Sequence, residues 1–98
     1  MKVWLDDERM APYMWCWVKT AKDAKYLIDN YTIYEISLDH DLGDEKNGNG
    51  YEVICHLEKK AYENKDFHIP IIHIHTANPS ARVKMELCLD QIMKIKGK

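Results

Sequence analysis

Four aspartates fall in two short acidic clusters. Asp6 and Asp7 belong to Asp6-Asp7-Glu8, and Asp39 and Asp41 begin a run that ends at Glu45. Each cluster directly follows a short apolar run, Lys2–Leu5 and Glu35–Leu38. If those runs are neighbouring strands, the four carboxylates converge. Two bare carboxylates ~4 Å apart repel by about 4 kcal/mol at an effective dielectric near 20. Either one of them stays protonated or a cation lies between them. Oxygen donors of this kind suit Mg²⁺ or Mn²⁺.

Histidines accompany the acids. His40 lies between Asp39 and Asp41, and His73 and His75 alternate along a β-branched run, Ile71–His75. Near neutral pH an imidazole is a general acid or base, or a metal ligand. His40 and His75 are the candidates for chemistry. His73, deeper in its strand, is a candidate supporting group or a structural one. Asn78-Pro79 follows, an N-cap with proline at the first helical position. The amides and dipole of such a helix tip favour an anion, and Arg82 is one turn further on. Acids able to hold a cation, opposite a tip able to hold an anion, describe phosphate chemistry. Thr76, Asn78 and Arg82 are the candidate phosphate contacts.

The elements that must position these residues are readable from periodicity. Lys2–Leu5, Trp15–Val18, Glu35–Leu38 and Ile71–His75 read as strands. Thr20 caps a helix through Asn30, with Ala21, Ala24, Leu27, Ile28 and Tyr31 on one face. Gly50 opens a second helix with Val53, Ile54, Leu57 and Ala61 inward. The third helix starts at Pro79, and Met85, Cys88, Leu89, Ile92 and Met93 repeat as an inward face. Lys94, Lys96 and Lys98 suit the negative end of its dipole. The order β-β-α-β-α-β-α predicts an α/β fold with a parallel sheet covered on both faces. Ligands of such sheets bind beyond the carboxyl ends of the strands, where all the candidate residues fall. Trp4 and at least one of Trp15 and Trp17 are expected to fill the core. A tryptophan left at the edge could stack a base.

The chain has 98 residues, 46% hydrophobic and 31% charged, which fits one globular domain spanning 1–98. Cys16, Cys55 and Cys88 are odd in number and widely spaced, against a disulfide framework or a thiolate zinc site. Residues 1–52 carry 11 acidic and 6 basic residues, a charge of −5; residues 53–98 carry 5 and 8, a charge of +3. With no long basic stripe, duplex DNA is not an expected partner. No apolar run approaches the ~18 residues of a membrane span, and the start does not resemble a signal peptide, so a cytoplasmic address is expected.

Val3-Trp4-Leu5-Asp6-Asp7-Glu8 resembles the first strand and acid pair of response-regulator receiver domains. Ile36-Ser37-Leu38-Asp39 resembles the strand ending in their phospho-accepting aspartate. Gly50-Tyr51-Glu52-Val53 resembles the opening of their next helix, and Ile69-Pro70-Ile71-Ile72 with Thr76-Ala77 the strand with the switch threonine. The chain departs from a receiver where nine residues between Leu5 and Trp15 are too few for a helical crossover of a dozen or more. Nothing after the third helix resembles a fifth strand with its phosphoryl-holding lysine. The fuller pattern of LDDER, SLDHDLGD, NGNGYEV and IHIHTANPSAR closely resembles the stand-alone cyclic-phosphate-processing receiver-like family, a trimmed receiver fold.

That resemblance implies a receiver-like (flavodoxin-like) three-layer sandwich, shortened, with a four-stranded, mostly parallel sheet in the order 2-1-3-4. It implies a metal-dependent phosphoesterase acting on cyclic phosphates, at 2′,3′-cyclic RNA ends or in cyclic nucleotides. Asp6, Asp7, Asp39 and Asp41 would hold Mg²⁺ or Mn²⁺, and Asp39, His40 and His75 would carry the chemistry. The other reading is a non-catalytic phospho-switch or nucleotide-binding module built on Asp39.

Overall fold

The computed structural model describes residues 1–97; Lys98, the last of the lysines expected at the helix terminus, lies outside the described residues. Strands β1 (Lys2–Leu5), β2 (Cys16–Val18), β3 (Glu35–Leu38) and β4 (Ile71–Ile74) alternate with helices α1 (Ala21–Asn30), α2 (Gly50–Glu63) and α3 (Pro79–Lys96). A single 3₁₀ turn, Glu45–Asn47, interrupts the acidic loop. The sheet order is β2-β1-β3-β4 and every pairing is parallel, so the expected strand order is the observed one.

Local signals explain the helix starts. Thr20, Asn49 and Asn78 each accept a backbone amide of the first turn through the side chain, satisfying donors that the helix leaves orphaned. The core forms where Val3, Leu5, Ile36 and Leu38 meet Ala24 and Ile28 of α1, Val53, Ile54 and Leu57 of α2, and Met85 and Ile92 of α3. Two residues expected to face inward do not: Tyr31 and Met93 are exposed at the ends of their helices.

The number of layers departs from expectation. The crossovers from β2 to β3 and from β3 to β4 run in one direction across the sheet, so the usual right-handed connection puts α1 and α2 on one face, and a single core cluster joins Val3, Leu5, Ile36 and Leu38 to all three helices. Helix α3 packs on α2 and joins them. The sandwich therefore has two layers, not three. The physical reason is the Asp6–Trp15 connection, which carries no helix. Trp4, Trp17, Ser37 and His73 stand in one register row on the uncovered face. No tryptophan belongs to the core cluster, a second correction: all three are half-buried.

Candidate functional site

Three residues mark the carboxyl edge of the sheet. Asp6, Asp39 and His75 are each the first residue past a strand. Each amide donates to the last residue of the neighbouring strand: Asp6 to Val18 (3.1 Å), Asp39 to Leu5 (2.9 Å) and His75 to Leu38 (3.0 Å). The ladder thus extends one step and fixes three backbones before any side-chain contact is counted. Ligand atoms of these three residues lie within 4.8 Å of one another. A cleft of about 320 Å³ opens at Asp6 and Asp39, lined also by Asp7, Glu8, Arg9, Asp41, Gly43, Thr76 and Ala77; His75 is not in its wall and meets it through Asp6.

Asp6 is 1% exposed and fully engaged. Its Oδ1 accepts the amides of Glu8 and Arg9, both at 2.8 Å, and its Oδ2 lies 3.0 Å from His75 Nε2. Burial works to raise the Asp6 pKa, but the two amides and His75 outweigh it and hold the carboxyl below the usual range. Asp6 is therefore ionised, and His75 donates to it through Nε2–H. In the neutral imidazole Nδ1 then accepts from the Ser37 hydroxyl, 2.7 Å away. The ring also stacks on Trp4, with centroids 4.1 Å apart and planes 7° from parallel.

Burial lowers the His75 pKa, against the pull of Asp6 and Asp39 in the opposite direction. The unfolded chain takes up its proton near pH 6.5, the folded protein only at lower pH. Stability attached to His75 is full above that value and is lost as pH falls below it. Urea denaturation in chelator at pH 7.5 and 5.5 should show wild type losing more of its stability on acidification than His75→Gln. Equal losses would refute the assignment.

The other candidates are placed as follows. Asp39 commits Oδ1 to the His40 amide at 2.8 Å, leaving its second oxygen for a ligand. Asp7 and Asp41 line the cleft but stand outside the tight cluster of Asp6, Asp39 and His75. Asp41 Oδ1 accepts from His40 Nδ1 at 2.9 Å, which lowers the Asp41 pKa. His40 Nε2 is buried without a partner and away from the cleft lining. His73 faces Glu35 at 2.6 Å on the uncovered face and touches none of the clustered groups. Thr76 is buried in the cleft wall, its Oγ1 accepting the Asn78 amide.

Two expectations about the anion site are redirected. Arg82 donates to the carbonyls of Ile74 (3.0 Å) and Thr76 (3.3 Å) and to Glu86, so it clamps the end of β4 and does not line the cleft. The tip of α3 is closed by its own cap: the Asn78 side chain accepts from Ala81, donates to Asp41, and Pro79 has no amide to offer. The cation in the cleft wall is instead Arg9, whose Nη1 reaches the His75 carbonyl at 3.4 Å.

Sequence reasoning had not singled out Ser37 or Arg9. Ser37 carried a usable signal, a small hydroxyl inside an apolar strand two residues before Asp39, on the same strand face as His73 and His75.

Residues 1–91 match the family model of the cyclic-phosphate processing receiver domain. The chain belongs to that family. No curated protein and no solved structure matches it. Against a receiver's expected architecture, this cyclic-phosphate processing receiver domain keeps the acid edge and leaves one sheet face without a helix. Among the described residues, no helix is long and apolar enough to cross a membrane.

Proposed function

We propose that this domain hydrolyses a cyclic phosphodiester, of the 2′,3′ kind found at an RNA end or in a cyclic nucleotide, with Mg²⁺ or Mn²⁺. The observation that carries the reading is the gathering of Asp6, Asp39 and His75 within 4.8 Å, in a chain of the cyclic-phosphate processing family. The lining supports the need for a cation. Asp6, Asp7, Glu8, Asp39 and Asp41 face a single arginine, so a phosphodiester entering alone meets strong repulsion.

The donor set fits a hard cation. Asp7, Asp41 and the second oxygen of Asp39 would hold it, beside Asp6, whose oxygens are hydrogen-bonded to the Glu8 and Arg9 amides and to His75. When bound, the cation neutralises phosphoryl charge and lowers the pKa of a water.

The protein's own groups do the rest. Arg9 and the Thr76 hydroxyl hold phosphoryl oxygens. His75, protonated, passes its Nε2 proton through Asp6 Oδ2, which does line the cleft, to the leaving ribose oxygen as water oxygen bonds to phosphorus and the ring P–O bond breaks. The imidazole then regains a proton from the water that was split. Ser37 suits both states, donating to Nδ1 of the neutral ring and accepting from Nδ1–H of the cation. His40 holds the Asp41 carboxylate and does not reach the substrate.

Turnover of 2′,3′-cyclic nucleotides in Mg²⁺, Mn²⁺ or chelator tests this. Asp39→Asn and His75→Ala should each lose at least about 10²-fold in rate, and chelator should abolish turnover. Equal activity in the three proteins would refute the hydrolase. A stable phosphoryl adduct on Asp39, without turnover, would favour the phospho-switch.

A further inference from the structure

We propose that the uncovered face of the sheet is a stacking platform for single-stranded RNA, holding the nucleotides that lead to a cyclic 3′ end. The proposal rests on the hydrolase reading and names which of its substrates the fold favours: an oligomer over a mononucleotide.

The face has the required chemistry. Trp4 and Trp17 are side by side in register, and Trp15 packs edge-on against Trp4, with centroids 6.0 Å apart. A lysine stands over two of these rings: Lys2 Nζ is 5.7 Å from the Trp15 centroid and Lys19 Nζ 4.6 Å from that of Trp17. Each ammonium lies on a flexible stem, so it can yield the ring face to a planar base and then serve a flanking phosphate. Both lysines are exposed; Lys19 has no carboxylate partner among the described residues, while Lys2 also pairs with Glu35 at 3.7 Å. The loop that stands in for a crossover helix adds Tyr13, 92% exposed and two residues before Trp15.

The platform is continuous with the cleft. Asp6 follows Trp4 by two residues, so its side chain emerges on the same face of β1. His75 bridges them, flat against Trp4 and hydrogen-bonded to Asp6. Trp17 Nε1 donates to the Asp6 carbonyl at 2.7 Å and ties the third ring to the same point. A strand whose cyclic end occupies the cleft therefore has its preceding bases beside Trp15 and Trp17. Pairing of cations with aromatic rings favours a polyanion with π-faces over an apolar protein surface.

The test separates the two readings. A uridine tetranucleotide with a plain 3′ hydroxyl is titrated against the full chain and followed by tryptophan fluorescence, with uridine monophosphate in parallel. No turnover is needed, so this arm holds even if hydrolysis fails. The tetranucleotide should bind at least about tenfold more tightly than the monophosphate. Trp15→Ala should remove about tenfold of that preference and Trp15→Phe should keep most of it. Lys2→Gln with Lys19→Gln, both at exposed positions, should flatten the salt dependence by roughly 0.7 per lost phosphate contact on a log–log plot. Equal affinity for tetranucleotide and monophosphate would overturn the platform, as would unchanged binding in these variants. So would sedimentation as a dimer whose fluorescence ignores RNA, because the face would then belong to a second copy.

Discussion

Gly50→Ala should destabilise the domain by about 2–3 kcal/mol, the upper part of the overpacking range, and should spoil the cleft at the same time. Gly50 is the first residue of α2, where replacing glycine with alanine ordinarily stabilises by about 0.4–1 kcal/mol through the unfolded chain. The surroundings reverse the sign. A Cβ at this position would stand 1.9 Å from the Asp39 carbonyl oxygen and 3.0 Å from Met85 Cε. Methionine can turn aside, but the carbonyl cannot. Its residue is held by the hydrogen bond from the Asp39 amide to the Leu5 carbonyl, and the Gly50 amide itself donates to the His40 carbonyl at 3.0 Å. Relief requires moving α2 or the Asp39 backbone, and either displaces the carboxylate at the cleft. For a domain near 100 residues the loss corresponds to a fall of roughly 10 °C or more in melting temperature. A melting temperature equal to or above that of wild type would show that the approach of α2 to β3 is not as tight as described.

The same glycine shows how far the sequence could be read. Its place at a helix start was evident from the turn signals before it and the apolar spacing after it. That a backbone carbonyl fills the space beside it depends on Asp39 and Gly50, eleven residues apart, which no local pattern encodes. The strand order and the convergence of Asp6, Asp39 and His75 at one edge were legible for a simple reason. Parallel strands place all their carboxyl ends on one side, so each residue just past a strand arrives there.

Layer number was not legible, because the alternation in Lys2–Leu5 and Ile71–Ile74 is compatible with either a covered or a bare second face. Tryptophan made this harder, being apolar enough for a core and amphipathic enough for a surface. The partners of Arg82 and of the Asn78 cap were equally hidden. A cation near a helix start can meet a ligand or a carbonyl of the preceding strand. Only the position of the Ile74 and Thr76 carbonyls decides between them. Ser37 shows the converse. Its importance comes from a partner 38 residues away, a contact that exists only once β3 and β4 are paired.

Asp6 offers the sharpest separation of charge from shape. Asp6→Ala should destabilise by roughly 3 kcal/mol or more, because three donors lose a buried, charged acceptor at once. The amides of Glu8 and Arg9 lose their shared acceptor, and His75 Nε2–H loses its own. Asp6→Asn should cost far less, on the order of 1 kcal/mol. The asparagine Oδ1 can still take both amides. Its Nδ2 would meet a donor at His75 Nε2, but the ring has an alternative: with the proton moved to Nδ1 it donates to the Ser37 oxygen and accepts from Asn Nδ2. That escape depends on the Ser37 hydroxyl at 2.7 Å, which can serve as donor or acceptor. Replacing Ser37 by alanine in the Asp6→Asn background should therefore cost more than the two single changes together. Urea denaturation of the four proteins of this cycle measures the coupling directly. Additive losses would mean that His75 does not exchange tautomers between Asp6 and Ser37, and the imidazole would then lose the two-state proton role assigned to it at the cleft.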